Sequence, residues 1–202
     1  MAPERQGLPD AASELRARLA LELPPGLLEH IDRVVGITDA LARRHGLDVA
    51  LTRLMAQAHD VARARPPEWL LRDAEARGLA IDPVERAEPV LLHGQVGALE
   101  LRERLGVTDE RVLHAVHWHT TGHVDYSPEA WAMFVADKVD PHKVERWPAL
   151  TRVAELAERS LEAAALAYLE LTLARAVQER WLIHPAAVLA RNALVAGGHG
   201  AR

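Results

Sequence analysis

The chain has 202 residues, a formal net charge of −5 and no cysteine. This length fits one domain and is short for two. Without cysteine, disulfides and thiolate metal sites are excluded, so any metal must be held by His, Asp or Glu. Basic residues are scattered rather than clustered, so we expect no nucleic-acid partner. No stretch is typical of a signal peptide or a membrane span, which predicts a cytoplasmic protein that does not bind membranes.

The sequence predicts helices throughout and no strand, so the expected fold is all-α. Alanine, leucine, arginine and glutamate, which favour helices, dominate the composition. Prolines, glycines and polar capping residues separate the predicted helices. In chain order these are 13–23, 26–44, 48–62 with Asp48 as N-cap, 66–77, a short one at Asp82-Pro83, 94–105, 109–118 capped by Thr108, one opened by Ser127-Pro128, apolar helical spacing from Val144 onward, and 185–195.

The predicted organisation is one main domain over residues 25–196, with an N-terminal helical extension over 1–24 and a flexible tail over 197–202. No internal repeat or linker divides the main domain. Leu161, Ala165, Leu169 and Ala176 share one helical stripe, which predicts a buried face. The apolar C-terminal helices are also compatible with a homodimer.

Histidine and aspartate residues recur at the edges of apolar segments. His59-Asp60 follows the apolar stretch 51–58, where a charged pair is costly to bury unless it is paired or binds a metal. Taken alone, the pair is better explained by a histidine at a helix end beside a surface aspartate. The pattern is repeated, however, and favours ligands that project into a cavity between helices. The candidate metal ligands are His30, His59, Asp60, His93, His119 and Asp137.

Imidazole and carboxylate ligands together suit iron, manganese, zinc or cobalt and do not suit a calcium site. Asp60 is the natural candidate to bridge two ions through its two oxygens, because the adjacent His59 would bind one of them. Two ions about 3.5–4 Å apart bind phosphate and convert water into a nucleophile. Since a bound divalent ion lowers the pKa of water to roughly 7, hydroxide becomes available at neutral pH.

In this order and at these spacings, His30, His59-Asp60 and Asp137 resemble the H…HD…D signature of the HD phosphohydrolase superfamily. The segments 92–94 (LHG), 119–122 (HTTG) and 135–137 (VAD) resemble its YqeK-type branch, the bacterial symmetrical diadenosine tetraphosphate hydrolases. The resemblance covers roughly residues 28–192. It implies an all-helical HD fold over the main domain and hydrolysis of a small-molecule nucleotide, diadenosine tetraphosphate, into two ADP by attack of metal-activated hydroxide on phosphorus.

The resemblance also implies the cofactor and the roles of individual residues. The cofactor would be one or two divalent ions, with iron as the leading expectation and manganese, cobalt or zinc as alternatives. His30, His59, Asp60 and Asp137 would hold the first ion. His93 and His119 would hold a second ion or contact the phosphates directly, and the sequence leaves both roles open. The expected catalytic residues are Asp60, Arg63, His93 and His119.

Substrate binding is expected from residues beside these ligands and from a turn near the C-terminus. Arg63 stands where the family has a phosphate-facing Lys or Arg and would offset phosphate charge. Lys143 stands where an arginine is usual and lacks the bidentate fork. The segment 180–185 resembles a nucleotide-facing turn, and its alternative interpretation is a plain connection between helices. The expected substrate-binding residues are Arg63, His93, His119, Thr120, Lys143, Arg180, Trp181, Ile183 and Pro185.

Two positions depart from the family pattern, with Leu27 in place of an arginine and Asp140-Pro141 in place of Glu-Pro.

Two other functions stay open: an HD-type phosphohydrolase acting on a mononucleotide or cyclic nucleotide, and a metal- or nucleotide-sensing module without turnover. The complete ligand set favours an enzyme. Of the remaining histidines, His123 is a candidate neighbour of the site, and the others are interpreted as ordinary helix, loop or tail residues.

Overall fold

The structure is a computed structural model that describes residues 8–199. Within this range the chain forms α-helices and one short 3-10 turn, with no strand, which confirms the all-α prediction. The helices are α1 Leu8–Leu19, α2 Pro25–His45, α3 Val49–Ala58, α4 Pro67–Ala76, α5 Pro83–Ala87, α6 His93–Glu103, α7 Glu110–His117, α8 Pro128–Lys138, α9 Pro141–Arg146, α10 Leu150–Ala157, α11 Leu161–Glu179 and α12 Pro185–Ala196. The 3-10 turn, Pro89–Leu92, leads directly into α6.

Helices α2, α3 and α8 pack against one another at the centre of the fold. Helix α8 is buried on every side from Ala130 to Lys138, as expected of a helix enclosed by others. Helices α1 and α7 pack on α3, while α11 packs on α8 and also contacts α10 and α12. The predicted stripe on α11 is confirmed, because all four of its residues are buried. Asp137 and Lys138, the charged residues at the end of α8, are therefore buried in the interior.

Polar N-caps fix where several helices begin. The side chain of Asp48 accepts hydrogen bonds from the backbone N–H groups of Ala50 and Leu51, and Ser127 caps α8. Asp82 and Glu85 form a complete capping box at the start of α5. These three starts confirm the sequence predictions.

Several predicted helix ends are wrong. The first helix, expected over 13–23, is observed over Leu8–Leu19. Thr108 does not cap α7, because the side chain of Asp109 accepts from the backbone of Arg111 and the helix begins one residue later than expected. Helix α3 stops at Ala58 instead of near residue 62, and residues 59–64 form a turn. The early end matters for the site, since His59 and Asp60 leave the helix together.

The predicted boundaries between extension, main domain and tail stay a prediction. Residues 1–7 of the extension and 200–202 of the tail lie outside the described residues. Within the extension, α1 packs on α3 and contributes Leu15 and Leu19 to the core. None of the helices described for residues 8–199 has the length and apolar character needed to cross a membrane.

Gly94 allows helices α6 and α7 to approach closely beside His93, which opens α6, and His119, which follows α7. A Cβ at this position would clash with the carbonyl oxygen of His117 and lie 3.1 Å from that of Val116. Gly36, by contrast, is exposed in the middle of α2 with no other atom near its missing Cβ.

We expect Gly94→Ala to lower the free energy of unfolding by about 1–3 kcal/mol, because backbone must move to admit the methyl group. Gly36→Ala is the matched control and should raise it by about 0.5–1 kcal/mol, since alanine favours an open helix position. Urea denaturation followed by circular dichroism measures both. Equal effects of the two substitutions would contradict the close approach of α6 and α7.

Candidate metal centre

Five helices bring six predicted ligands to one place. His30 lies within α2, His59 and Asp60 follow α3, His93 opens α6, His119 follows α7, and Asp137 lies near the end of α8. His30 is half-buried and the other five residues are buried. Their ligand atoms form two groups, each with all atoms within 4.8 Å of one another: His30, His59 and Asp137 in the first, and Asp60, His93 and His119 in the second.

The carboxylate of Asp60 lies between the two groups. Its Oδ2 is 3.5 Å from Nε2 of His59 and 3.7 Å from Nε2 of His30. Its Oδ1 is 3.2 Å from Nε2 of His93 and 3.3 Å from Nε2 of His119. Each oxygen therefore faces a different set of imidazoles, which is the geometry of a carboxylate that can bridge two ions.

The other ring nitrogen of each histidine is held by the protein. In three of them Nδ1 donates to the carbonyl oxygen three residues earlier in the chain: His59 to Ala56 at 2.7 Å, His93 to Val90 at 2.5 Å and His119 to Val116 at 2.7 Å. In His30, Nδ1 donates to Oδ2 of Asp140 at 2.5 Å. A proton on Nδ1 leaves the lone pair on Nε2 for a metal and fixes the plane of each ring.

Burial and charge hold the two carboxylates and His119 in the protonation states that bind metals. For His59, burial lowers the pKa, but the charges of Asp60 and Asp137 outweigh it and leave the pKa above its ordinary value, so a cation would have to displace a proton from this ring. Burial raises the pKa of Asp60, but the charge of His59 and the close contacts of the imidazoles of His119 and His93 hold it well below its usual value. Burial also raises the pKa of Asp137, but the charges of Lys138 and Lys143 outweigh this effect and hold the pKa well below its usual value. Burial lowers the pKa of His119 to about 4, so its imidazole is neutral at pH 7. Ionised carboxylate and neutral imidazole are the forms that coordinate a cation.

The residues present fit a divalent metal. Nε2 of His59 is fully buried and has no hydrogen-bond partner among the described residues, although a buried polar atom normally has one. It points toward the oxygens of Asp60 and Asp137, at 3.5 and 3.7 Å. Four imidazoles and two carboxylates without sulfur suit iron, manganese, cobalt or zinc.

Asp140 contributes to the metal centre by holding His30, although the sequence shows it only as a departure from the family pattern. Besides accepting from His30, its carboxylate accepts from Nη2 of Arg33 at 3.0 Å and from Nε at 3.2 Å. Arg33 follows His30 by three residues and therefore lies on the same face of α2. The sequence signal for this role is that Asp140 follows the predicted ligand Asp137 by three residues. Its role depends on α2 lying against the end of α8, which the sequence does not show.

Lys138 also contributes to the metal centre, and the sequence does not indicate this role. Its Nζ is buried and donates to Oδ2 of Asp137 at 2.7 Å and to the backbone oxygen of His119 at 3.0 Å. The ammonium group also lies 4.8 Å from the ring centroid of Phe134 and 5.6 Å from that of Tyr168. Lys138 therefore links the backbone of His119, in the second ligand group, to the carboxylate of Asp137, in the first.

A cleft of about 490 Å³ opens onto the metal centre at His30 and Asp60. Arg63 lines this cleft, as does Lys143, whose ammonium group also pairs directly with Oδ1 of Asp137. Arg33 and Arg146 line it as well. Four basic side chains thus surround the entrance to a group of buried carboxylates, an arrangement that attracts an anionic ligand toward the site. We call this space the cationic cleft.

The other residues expected to bind substrate lie elsewhere. Thr120 is half-buried beside His119. Pro185 lines a second cavity, of about 560 Å³, together with His123 and His184. Arg180, Trp181 and Ile183 line neither space, and Trp181 instead covers the guanidinium of Arg175 at 5.1 Å. The substrate-binding roles of these residues stay predictions.

The comparison with known families agrees with the fold. Residues 27–142 match the HD domain family, which is more than half of the chain, and the protein therefore belongs to that family. The chain is 28% identical over 168 residues to the symmetrical bis(5'-nucleosyl)-tetraphosphatase of Bacillus subtilis (strain 168), covering 83% of this chain and 89% of that one.

Two further relatives span most of the chain. A symmetrical bis(5'-nucleosyl)-tetraphosphatase of Halalkalibacterium halodurans is 29% identical over 186 residues, covering 87% of this chain and 95% of the relative. The crystal structure of a predicted HD superfamily hydrolase from Clostridium acetobutylicum superimposes with a TM-score of 0.85 at 23% identity, covering 92% and 97% of the two chains. The latter supports the fold alone.

We expect Asp60→Asn to abolish binding of Mn²⁺, because the substitution keeps the size of the side chain but removes the charge shared by both ligand groups. Asp140→Asn should weaken binding by about 10–100-fold, since Asp140 orients His30 but is not itself among the predicted metal ligands. Isothermal titration calorimetry measures the affinities, and circular dichroism checks the helices. Asp32→Asn, exposed on the same helix as His30, is the control and should bind as the wild type does. Normal binding by Asp60→Asn would refute the centre.

Proposed function

We propose that the protein hydrolyses diadenosine tetraphosphate symmetrically, to two molecules of ADP, at a divalent metal centre. The observation that carries the proposal is the position of Asp60, whose two oxygens face separate groups of imidazoles. The cationic cleft that opens onto Asp60 supports it, because a tetraphosphate requires several positive charges along its path. The names of the bacterial relatives support the particular substrate.

The protein residues would divide the work between holding metal and holding phosphate. His30, His59, Asp60 and Asp137 would form one metal position, and Asp60, His93 and His119 a second. When bound, such ions supply a Lewis acid and a water molecule of lowered pKa. The fixed Nδ1 contacts keep the imidazoles aligned, so that little reorganisation is needed during the reaction. Iron is the metal we propose, on the strength of the family resemblance.

The reaction consumes one water molecule and breaks one bond between the two central phosphates. The oxygen of water forms a bond to one central phosphorus, and the bridging oxygen leaves with the other half as ADP. Arg63 and Lys143 would bind phosphate oxygens and offset the charge that develops on them. Arg33 is tied to Asp140 and would face the phosphate chain from a fixed position. A cytoplasmic location and a homodimer stay predictions.

Product analysis tests the reaction. We expect the iron-loaded wild type, prepared without air, to convert diadenosine tetraphosphate to ADP alone, as separated by ion-exchange chromatography. AMP together with ATP would contradict a symmetrical cut. A panel of mononucleotides and cyclic nucleotides covers the alternative HD-type activities, and faster turnover of any of them would replace the proposed substrate. Binding without turnover of any nucleotide would favour a sensing module.

We expect Arg63→Ala to lower kcat/KM for this substrate by about tenfold or more, because a charge-assisted contact to phosphate is lost. Arg63→Lys should restore part of the loss, since it keeps the charge without the fork. Arg72→Ala is the matched control, because Arg72 is exposed on α4 and lines neither space. Steady-state kinetics at fixed ionic strength measures all three. Equal activity of Arg63→Ala and Arg72→Ala would exclude Arg63 from phosphate binding.

A further inference from the structure

A third, smaller space adjoins the cationic cleft at α9. Its volume is about 270 Å³, compared with about 490 Å³ for the cleft. No aspartate or glutamate lines it within residues 8–199. We call it the Trp147 pocket, and its walls are formed by Lys138, Lys143, Arg146, Trp147, Leu150 and Tyr168.

Helix α9 forms a wall common to the Trp147 pocket and the cationic cleft. Lys143 and Arg146 line both spaces. They are three residues apart and therefore lie on the same face of the helix. No residue of α9 is buried, so both basic side chains are accessible to a ligand. A phosphate chain bound in the cleft can continue along these two cations into the pocket.

The inner end of the Trp147 pocket reaches the metal centre through two lysines. Nζ of Lys138 donates to Oδ2 of Asp137 at 2.7 Å, and the ammonium group of Lys143 pairs with Oδ1 of the same carboxylate. Only one side chain thus separates the pocket from a predicted metal ligand. A ligand that occupies both the pocket and the cleft would have its phosphates beside the metal centre.

Two half-buried aromatic rings line the Trp147 pocket. The ring of Tyr168 meets that of Phe134 edge-on, with 5.6 Å between centroids and 80° between planes. The guanidinium of Arg175 lies 5.3 Å from the centroid of the Trp147 ring, and it is the only cation or ring that contacts this indole among the described residues. Rings held in this way offer a surface on which a base can stack, whatever the identity of the base.

The polar atoms of both rings are free to bind a ligand. Neither Nε1 of Trp147 nor the hydroxyl of Tyr168 has a hydrogen-bond partner within the part of the chain that the structure describes. The indole N–H is a donor, and the phenol hydroxyl is a donor or an acceptor. The pocket therefore combines aromatic surface and uncharged hydrogen-bonding groups with cations at its border, as a nucleotide requires for its base, its ribose and its phosphates.

A symmetrical cut requires room for a nucleoside on each side of the metal centre. In diadenosine tetraphosphate each central phosphorus is followed by one further phosphate and then by a nucleoside. Whichever of the two is attacked, one nucleoside must extend beyond the centre in each direction. A mononucleotide makes no such demand, so a pocket on the side of α9 would favour a substrate with two nucleosides.

We propose that the Trp147 pocket binds one of the two nucleosides of the dinucleotide, with the base against Trp147 and Tyr168 and the adjoining phosphates on Lys143 and Arg146. This rests on the proposed function, since it takes the substrate to be a dinucleoside polyphosphate. It differs from the sequence-based expectation, which assigned Trp181 to substrate binding. Trp181 contacts the guanidinium of Arg175 and lines none of the three spaces.

The first test removes the indole in the metal-loaded protein. We expect Trp147→Ala to raise KM for diadenosine tetraphosphate by about tenfold with kcat changed much less, because base stacking is lost. Inorganic tripolyphosphate, which has no nucleoside, should inhibit the wild type and Trp147→Ala equally when free Mn²⁺ is held constant. Trp69→Ala is the matched control and should keep the wild-type KM, because Trp69 is also half-buried beside a guanidinium, that of Arg65 at 5.0 Å, but lines none of the three spaces.

Two conservative variants guard against misfolding of Trp147→Ala. Trp147→Phe keeps an aromatic ring in the pocket, so we expect its KM to stay within about threefold of the wild-type value. Tyr168→Phe keeps the ring against Phe134 and removes only the hydroxyl, which should raise KM by about two- to tenfold through the loss of one hydrogen bond. Circular dichroism checks the helices of each variant. A Trp147→Phe variant as impaired as Trp147→Ala would contradict a stacking role.

The outcomes separate this proposal from the function itself. If the wild type cleaves diadenosine tetraphosphate and Trp147→Ala keeps its KM, the pocket is refuted and the function stands. If Trp147→Ala weakens inhibition by tripolyphosphate as much as it raises KM, the indole acts only through the shape of the cleft, and the proposal is overturned.

Binding without turnover is measured by calorimetry with diadenosine tetraphosphate. If the wild type binds this compound without cleaving it, and Trp147→Ala binds it about tenfold more weakly, the pocket is supported and the proposed function fails. If the wild type neither binds nor cleaves it, both proposals are refuted.

Discussion

The structure depends on two buried carboxylates, those of Asp60 and Asp137, that must be surrounded by compensating groups. An ionised carboxylate taken out of water is unfavourable unless cations or hydrogen-bond donors replace the solvent. Four imidazoles and two lysine ammonium groups supply this environment, and they come from helices or helix ends that are far apart in the chain. The central packing of α2, α3 and α8 is what brings them together, so the fold and the site are consequences of the same arrangement.

Helix ends give the site its geometry. Asp60, His59 and His119 lie just beyond helices, where the backbone is free of the helical ladder and carbonyl oxygens are available. Those carbonyls accept the Nδ1 protons and direct Nε2 of each ring inward. Lys138 then joins the backbone of His119 to Asp137.

Charge is distributed unevenly around this centre. Basic side chains line the cationic cleft, whereas the second cavity of about 560 Å³ is lined by Trp118 and the buried Glu85 and by no lysine or arginine among the described residues. A chain with a net charge of −5 can therefore admit a polyphosphate, because the compensating charges are local.

The sequence by itself determined the all-α class, most helix starts and the six candidate ligands. These follow from local chemistry: helix-forming composition, capping residues, and His or Asp at the edges of apolar segments. Only the tertiary structure decided that the two oxygens of Asp60 face different imidazoles, that Asp140 orients His30, and that Trp118 rather than Trp181 lines a cavity. Each of these depends on the distance and rotation between helices remote in sequence, and residue spacing along the chain contains no information about either.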